Sequence, residues 1–401
     1  MSSREWEVLP LEDCMEAIID YRGKTPRKSS FGIPLITAKI VKGGRILEPT
    51  EFIPFEDYDE RMSRGIPRAG DVVVTTEAPL GEVGQLDNRK LSVGQRLITL
   101  RGKDGLLDNT YLKYLMMSEF VQNQLLARAT GTTVSGIKQT ELRKINLLVP
   151  PFTTQRRIAD ILSALDEKIE LNRQTNATLE AIAQSIFREW FVEFNFPNTT
   201  DERVESELGM IPKGWKVLPL DEIADFLNGL ALQKFPAENE KDYLPVIKIR
   251  ELKNGVSNSS DKASRNIQSK YIINDGDLIF SWSGTLEVRF WVGGEGALNQ
   301  HLFKVTSKEY PLWLCYFWIL EHLANFRGIA EDKTTTMGHI QRHHLSEALC
   351  SIPDNLTELD KVMKPLVDKI INLEQQSATL ASLRDALLPK LMNGEIEVSN
   401  D

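Results

Sequence analysis

The sequence has few cysteines and no long apolar run. Its 401 residues include three cysteines, at positions 14, 315 and 350, whose spacing matches neither a metal-binding motif nor a set of paired disulfides. No run of about 18 apolar residues occurs, so a membrane-spanning helix is not expected. Residues 1–6 lack the apolar core of a signal peptide. We therefore expect a reduced, cytoplasmic protein.

Motifs of the common catalytic sites are also missing. There is no phosphate-binding loop of the form GxxxxGK(S/T), no GxGxxG after a strand and no GxSxG nucleophile turn. Residues 149–152 (VPPF) resemble the loop with which amino-methyltransferases hold a target amine, but Val149 has no side-chain oxygen, which favours a simple proline linker. His339 and His343 have helical i, i+4 spacing, yet no third ligand completes a tetrahedral metal site. The sequence predicts no catalytic residue and no metal site.

Negative charge is unevenly distributed along the chain. The formal net charge is -9, from 48 basic and 57 acidic residues. Residues 153–210 and 354–401 carry net charges of -5 and -4, whereas residues 1–152 and 211–353 carry +1 and -1. A nearly neutral domain can still present a basic face, so the charge weakens the case for DNA binding without excluding it.

An internal repeat organises the chain. The segment 6–11 (WEVLPL) recurs at 215–220 (WKVLPL), 34–39 (PLITAK) at 245–250 (PVIKIR), and 70–74 (GDVVV) at 276–280 (GDLIF). Further matches join Gln95 to Gln300, 133–142 to 336–345, and 165–169 (LDEKI) to 366–370 (LVDKI). Because these matches keep their order at an almost constant offset, we interpret the chain as two copies of one unit.

Each copy has the pattern of a mixed α/β domain. Residues 33–38, 71–76 and 96–101 are short apolar or alternating runs bounded by glycine, proline or aspartate, which is typical of strands. Residues 108–128 and 310–325 have helical apolar periodicity. We expect an α+β fold with a mostly antiparallel or strongly curved sheet in each unit.

Each copy is followed by a long helix with one apolar seam. Apolar residues recur at alternating steps of four and three over 158–190 and 359–391, which is the repeat of a coiled coil. Polar Asn172, Asn176 and Ser377 lie in the seam and are expected to fix its register. The residues expected to pair the helices are Ile158, Leu165, Ile169, Leu179, Ile186, Leu366, Ile370, Leu380 and Leu387.

We expect the two helices to pair with each other as an antiparallel coiled coil, which makes the chain a pseudo-two-fold internal repeat. The alternative is that each helix packs on its own domain or pairs with another chain. The second helix has Arg384 where the first has Ala183, which leaves the details of the pairing open.

Basic and hydroxyl residues cluster in loops beside the strands of both copies, where they could contact phosphates and base edges. The candidate DNA-binding residues of the first copy are Arg22, Lys24, Arg27, Lys28, Lys39, Lys42, Arg45, Arg96, Thr132, Thr133, Ser135 and Lys138. Those of the second copy are Lys248, Arg250, Lys253, Ser283, His301, Thr335, Thr336, His339 and Arg342. Ordinary surface loops often have this composition, and a shared turn would also explain the recurrence.

Two similar units alternating with two similar long helices resemble the specificity subunit of Type I restriction–modification systems. The resemblance covers essentially the whole chain. It rests on the WxVLPL segments at the beginning of each copy, the Gly-Asp-apolar strands, the segment 147–158 (LLVPPFTTQRRI), and the central segments 187–192 (FREWFV) and 209–215 (GMIPKGW).

The resemblance implies a division of labour along the chain. Residues 1–152 would be one target recognition domain, 153–196 a central long helix, 197–353 a linker with a second target recognition domain, and 354–401 a C-terminal long helix. Each domain would read one half of a bipartite, asymmetric DNA site. The helices would set the spacer length and bind two modification subunits that methylate adenine.

The same resemblance implies that this chain binds no cofactor itself. S-adenosylmethionine is expected on the modification subunits, and ATP and Mg²⁺ on restriction subunits that act as motor and nuclease. Two other interpretations remain open: a stand-alone DNA-modifying enzyme, and a protein–protein scaffold built on the coiled coil.

Overall fold

The computed structural model describes residues 6–131, 135–196, 202–332 and 338–398. The chain divides into two units: unit 1 comprises residues 1–168 and 380–401, and unit 2 comprises residues 169–379. Each unit therefore contains a segment of both long helices. Among the described residues, none of the helices combines the length and apolarity that crossing a bilayer requires.

Unit 1 is built on an antiparallel sheet and a smaller mixed sheet. The strand order of the first is Met15–Asp20, Leu97–Gly102, Val72–Thr76 and Leu80–Gln85. The second has the order Phe52–Ile53, Ile33–Ile36 and Ser92–Val93, and its last two strands are parallel. Two-stranded pairs join Glu7–Pro10 to Asn146–Val149 and Val41–Lys42 to Arg45–Ile46. The three strands predicted for this copy are confirmed.

The helices of unit 1 cover these sheets. The α-helices are Leu11–Cys14, Tyr58–Arg61, Asn109–Met117, Glu119–Ala127 and Gln139–Leu142, and short 3-10 turns occupy Ala38–Ile40, Phe55–Asp57 and Met62–Arg64. The single helix predicted over 108–128 is wrong in one respect, since it breaks at Ser118. That residue is extended (ψ 149°), and its Oγ accepts a hydrogen bond from Val121 N, which starts a new helix.

Unit 2 repeats this plan. Its antiparallel sheet has the order Asp225–Asn228, Leu302–Thr306, Leu278–Ser281 and Val288–Phe290. Its mixed sheet has the order Lys262–Ala263, Leu244–Ile247, Gly296–Leu298 and Ile272–Ile273. Trp215–Pro219 pairs with Leu349–Pro353, and Arg203–Ser206 with Gly209–Pro212. The helices are Leu220–Ile223, Ile249–Asn254, Leu312–Asp332 and Arg342–Ser346, with 3-10 turns at Leu232–Lys234 and Ser269–Tyr271.

The duplication is therefore present in topology and register as well as in sequence. In the mixed sheets, Leu35 lies opposite Ser92 in a parallel pair, and Val246 lies opposite Ala297 in the corresponding pair. The Gly-Asp turns also correspond, because Asp71 and Asp277 each accept a hydrogen bond from the backbone N three residues earlier, at 2.8 and 2.7 Å. Both aspartates thus have the structural role of a turn before a strand.

The two long helices extend over Phe152–Phe187 and Thr357–Met392. The first continues as one π-helical turn, Arg188–Val192, and Gly394 with φ +76° follows the second. Both helices are thus shorter than the segments 153–196 and 354–401 that the sequence assigned to them.

Within unit 2 the helices run antiparallel. The Nδ2 of Asn172 donates to Gln376 Oε1 at 2.8 Å, and the Nδ2 of Asn176 donates to the carbonyl of Ile370 at 3.1 Å. As the residue number rises on one helix, its partner's number falls on the other. Every seam position named for pairing is buried or half-buried. Some of these residues, among them Ile158, Ile186 and Leu387, pack against domain cores, so their pairing across the helices stays a prediction.

The helix ends also pack on the domain cores. Ile158 and Leu162 join the core of unit 1 together with Leu391, while Ala183 and Leu359 join the core of unit 2. The helices therefore contact each other antiparallel within a unit, as predicted, and their ends also cover the domain cores.

Arg384, the residue that departed from the apolar seam, belongs to an ionic cluster in unit 1. Its Nη1 lies 2.7 Å from Asp166 Oδ1, while Asp166 Oδ2 lies 2.8 Å from Lys113 Nζ and accepts from Tyr114 OH at 2.7 Å. Both Asp166 and Arg384 are only 16% exposed. Burial alone would raise the pKa of Asp166, but Lys113, Arg384 and Tyr114 outweigh it and lower that pKa below its usual range.

Replacing Asp166 by Asn is expected to destabilise unit 1 by about 3 kcal/mol, because two buried cations lose their shared counter-charge. Chemical denaturation of the full chain measures the change. The matched control is Asp385→Asn, since the Asp385 side chain is 64% exposed and contacts the same arginine from solvent. An equal loss in both variants would contradict the assigned role.

The contribution of Asp166 is also expected to depend on pH. Its folded pKa is depressed, so the stabilisation is present above the unfolded pKa of about 3.9 and is lost as the pH falls through the folded value. The difference in unfolding free energy between the native chain and Asp166→Asn should be constant above about pH 5 and shrink below about pH 4. A gap that persists undiminished at lower pH would contradict this assignment.

Candidate nucleic-acid interface

A matched backbone frame lies at the end of the third strand of each antiparallel sheet. In unit 1, Thr76 N donates to Arg96 O at 2.9 Å, and Ile137 N donates to Thr76 O at 3.0 Å. In unit 2, Trp282 N donates to His301 O at 3.4 Å, and Ile340 N donates to Trp282 O at 3.0 Å.

The residues that follow the strands also correspond. Glu77 bridges to Gly136 in unit 1 as Ser283 bridges to His339 in unit 2. The next residue is left-handed in both units, Ala78 with φ +48° and Gly284 with φ +64°. We call the matched positions, Glu77 and Arg96 in unit 1 and Ser283 and His301 in unit 2, together with the described residues beside them, the recognition frame.

Charged side chains occupy the frame of unit 1. Glu77 Oε1 and Arg96 Nε are 2.9 Å apart, and the two side chains are 44% and 54% exposed. Beside them, the Thr25 hydroxyl donates to Gln95 Oε1 at 3.2 Å. The frame thus presents an acidic acceptor, a guanidinium and an amide to solvent within one small area.

A buried arginine supports this frame from behind. Arg61 is 7% exposed and donates to two carbonyls, that of Lys24 and that of Val93 at 2.8 Å. Burial lowers the pKa of the Arg61 guanidinium. These bonds tie the loop that follows the first sheet strand to the loop that carries Gln95 and Arg96, which holds both in place.

Aromatic and imidazole side chains occupy the frame of unit 2. The Ser283 hydroxyl lies 2.9 Å from His301 Nδ1, and Gln300 Nε2 lies 3.4 Å from His301 Nε2. The Trp282 ring lies 6.0 Å from the His301 ring and 6.1 Å from the His339 ring. Its Nε1 donates to Asn228 Oδ1 at 3.1 Å. This frame carries no carboxylate or guanidinium at the positions of Glu77 and Arg96.

A cleft of about 790 Å³ lies beside the frame of unit 2. Gln300 and His301 form part of its wall, together with Lys248, Arg250 and Lys262. Lys248 is ion-paired with Asp261, and Arg250 Nη2 lies 2.7 Å from Glu251 Oε1. The cleft therefore combines hydrogen-bonding groups with cations whose charge is partly balanced.

Several predicted cations of unit 1 are engaged by local partners. Arg22 pairs with Asp20 at 3.2 Å and donates to Ile137 O, which joins it to the frame. The Lys24 ammonium donates to Ser63 Oγ at 2.7 Å. Arg27 pairs with Glu56 and Asp57 at 2.7 and 2.9 Å, and Lys28 with Glu51 at 2.8 Å. Their contact with DNA stays a prediction, and it would require exchange of these partners.

The second basic group of unit 1 lies around a hairpin. Lys39 and Lys42 are exposed, and Arg45 is half-buried on the returning strand of the hairpin Val41–Ile46. The backbone N of Gly43 at its tip donates to Glu82 Oε2 at 2.7 Å. Both lysines are exposed to solvent, and their contact with phosphates stays a prediction.

The remaining predicted residues divide into three groups. Ser135 and Lys138 are exposed beside the frame of unit 1, and Lys253 is exposed at the end of the helix Ile249–Asn254. Arg342 lies over the Phe303 ring at 5.6 Å and donates to the Phe226 carbonyl at 3.1 Å. Thr132, Thr133, Thr335 and Thr336 lie outside the described residues.

His343 and His344, which follow the frame of unit 2 in the chain, do not form a good metal site. The potential ligand atoms of His343, His344 and Glu347 come within 4.8 Å of one another. However, His344 Nδ1 accepts a hydrogen bond from Gln341 N at 3.0 Å, which caps the helix Arg342–Ser346. A metal on the other ring nitrogen would need a proton on Nδ1 and would break this cap.

Sequence reasoning missed Glu77, Trp282 and Asn228. Glu77 is acidic, whereas the clusters that indicate DNA binding are basic or hydroxyl-rich, and Trp282 and Asn228 carry no charge. The alignment of Gln95 with Gln300 was the available signal, since both residues immediately precede the frame residues Arg96 and His301.

Comparison with known proteins agrees with the repeated geometry. Residues 3–181 and 212–380 both match the family model of the Type I restriction modification DNA specificity domain. The Type I restriction enzyme MjaIX specificity subunit of Methanocaldococcus jannaschii is 28% identical over 417 aligned residues, which cover 98% of this chain and 94% of that protein. The HindI specificity subunit of Haemophilus influenzae is 23% identical, over 68% of this chain and 74% of that protein.

The fold also has a solved counterpart. The crystal structure of a Type I restriction–modification S subunit from M. genitalium superposes with a TM-score of 0.57 at 15% identity, covering 100% of this chain and 98% of that one. Since the family model matches most of the chain, in two successive copies, this protein belongs to the family of Type I restriction–modification DNA specificity domains.

Proposed function

We propose that this chain is the non-catalytic DNA-recognition subunit of a Type I restriction–modification complex. Each unit reads one half of a bipartite, asymmetric DNA site. The observation that carries this proposal is the recognition frame, which has one backbone geometry in both units and different side chains in each. A shared scaffold places two reading surfaces, and the differences between Glu77–Arg96 and Ser283–His301 let them read different bases.

The remaining cations supply affinity rather than specificity. Phosphate contacts position a protein on DNA, whereas base contacts determine the sequence that it selects. Lys39 and Lys42 suit phosphate binding, because they are exposed and their ammonium groups have no ion-pair partner among the described residues. Such contacts explain how a chain with a net charge of -9 binds DNA through local basic surfaces.

The long helices set the separation of the two reading surfaces and bind two modification subunits. Their outward faces carry exposed apolar side chains in addition to the buried seam, among them Leu171, Ile182 and Leu383. Exposed apolar residues on a helix that is already paired favour further protein contacts. Linking two weak DNA readers in one chain raises their combined affinity for sites whose spacer the linking helices can match.

Cofactor chemistry belongs to the partner subunits in this proposal. S-adenosylmethionine is bound by the modification subunits, which methylate adenine in each half-site. Restriction subunits bring ATP, Mg²⁺ and cleavage. The complex acts in the cytoplasm, where the three buried thiols of this chain stay reduced.

Mapping methylated adenines across the genome, in cells with and without this gene, tests the function directly. We expect methylation at a bipartite sequence with a fixed spacer and two different half-sites, and its loss without the gene. Identical half-sites would contradict the asymmetric reading. Robust DNA cleavage or methylation by the purified chain, with Mg²⁺ or S-adenosylmethionine added, would contradict a non-catalytic role.

The double variant Lys39→Ala/Lys42→Ala is expected to weaken binding of the assembled complex to all DNA sequences alike. Loss of two phosphate contacts should reduce the slope of log binding constant against log salt by about 2. The control is Lys361→Ala/Lys364→Ala, which removes two exposed helix lysines that already pair with Glu358 and Asp368. An unchanged salt slope in the first variant would show that the hairpin does not contact phosphates.

A further inference from the structure

We propose that the Glu77–Arg96 pair of unit 1 reads a C·G base pair, and that His301, held by Ser283 at the equivalent place in unit 2, determines a different base. This inference rests on the proposed function and deepens it, because it assigns one base-pair class to two named residues. The recognition frame makes the comparison possible. The two pairs occupy the same backbone positions, so their side chains are alternatives at one place.

The chemistry of the unit 1 pair matches the major-groove edge of C·G. Guanine presents two acceptors, O6 and N7, which a guanidinium binds with two parallel hydrogen bonds. Cytosine presents the N4 amino donor directly beside guanine O6, and a carboxylate accepts from it. Arg96 and Glu77 supply this donor and this acceptor side by side, 2.9 Å apart.

The same pair fits the other bases less well, because thymine O4 and adenine N7 each offer one acceptor where guanine offers the two that a guanidinium binds. An ionised carboxylate only accepts hydrogen bonds, so Glu77 placed against thymine O4 or adenine N7 would meet another acceptor. Rejection of wrong bases by such unpaired groups contributes to specificity as much as the favourable contact does. Since both side chains are about half exposed and already paired, the reading surface is accessible and ordered before DNA arrives.

The unit 2 pair has different chemistry. Ser283 is 3% exposed, so its hydroxyl orients the His301 ring instead of contacting a base. The second ring nitrogen of His301 faces Gln300, and the ring lies beside Trp282. This arrangement offers ring faces and an amide, and it lacks the fork of donors that selects guanine.

Placing the unit 2 residues at the unit 1 positions tests the assignment in the assembled complex. Glu77→Ser/Arg96→His carries the unit 2 residues into unit 1, and the recognised sequence is read from genome-wide adenine methylation. We expect one half-site to lose its preference for C·G at one position by roughly tenfold or more, while the other half-site stays unchanged. Both exchanged side chains in unit 1 are exposed, so the fold of the unit is not at risk.

Two single variants separate base reading from charge and from folding. Arg96→Lys keeps the positive charge but loses the bidentate geometry, so it should lose the guanine preference while keeping overall affinity and salt dependence. Arg68→Lys is the matched control, because Arg68 is also exposed and paired, with Glu16, and precedes the start of the strand that leads to Glu77. It should leave both half-sites unchanged.

The possible outcomes distinguish the two proposals. A native complex that methylates no defined sequence overturns the proposed function and this inference together. A native complex with a defined bipartite site, whose C·G preference survives both Glu77→Ser/Arg96→His and Arg96→Lys, overturns only the inference. If the double variant abolishes methylation, Arg96→Lys decides the question, since retained affinity with relaxed sequence preference supports the assignment and retained preference refutes it.

Discussion

The apolar seam on each long helix must be covered, and this constraint governs how the chain folds. Neither helix can bury its seam alone, so within unit 2 the two run antiparallel, with Asn172 bonded to Gln376 and Asn176 to the carbonyl of Ile370. Within unit 1 the same pairing is held by Asp166 and Arg384. Polar contacts inside an apolar seam lose their partners if the helices slip, so they specify one register at some cost in stability.

Helix pairing also means that neither unit consists of one copy of the repeat. Unit 1 needs residues from the end of the chain, since Leu391 lies in its core, and unit 2 needs Ala183 and Phe187 from the first helix. The domains are thereby anchored to the helices through buried side chains. A reading surface anchored in this way keeps its orientation relative to the helix segments of its own unit, which suits the reading of base edges.

In the proposed function, base reading depends on a part of the fold whose side chains differ between the two copies. In both copies the turn residue is an aspartate, Asp71 or Asp277, whose carboxylate accepts from the turn backbone and pairs with a cation of the neighbouring strand. The recognition frame keeps its backbone hydrogen bonds, yet Glu77 becomes Ser283 and Arg96 becomes His301. Main-chain bonds do not require a particular side chain, so this position can change its chemistry without changing the fold.

The sequence by itself determined the duplication, the α+β class, the strands before and after the Gly-Asp turns, and the two apolar seams. These follow from local periodicity and from matches at constant offset, which require no knowledge of distant contacts. Only the tertiary structure decided the break at Ser118, the buried role of Arg384, and the pairing of Glu77 with Arg96. The two ion pairs join residues that are separated in the chain, and the helix break depends on one hydroxyl that caps a new helix start. Composition and local periodicity do not specify which residues become neighbours in the fold.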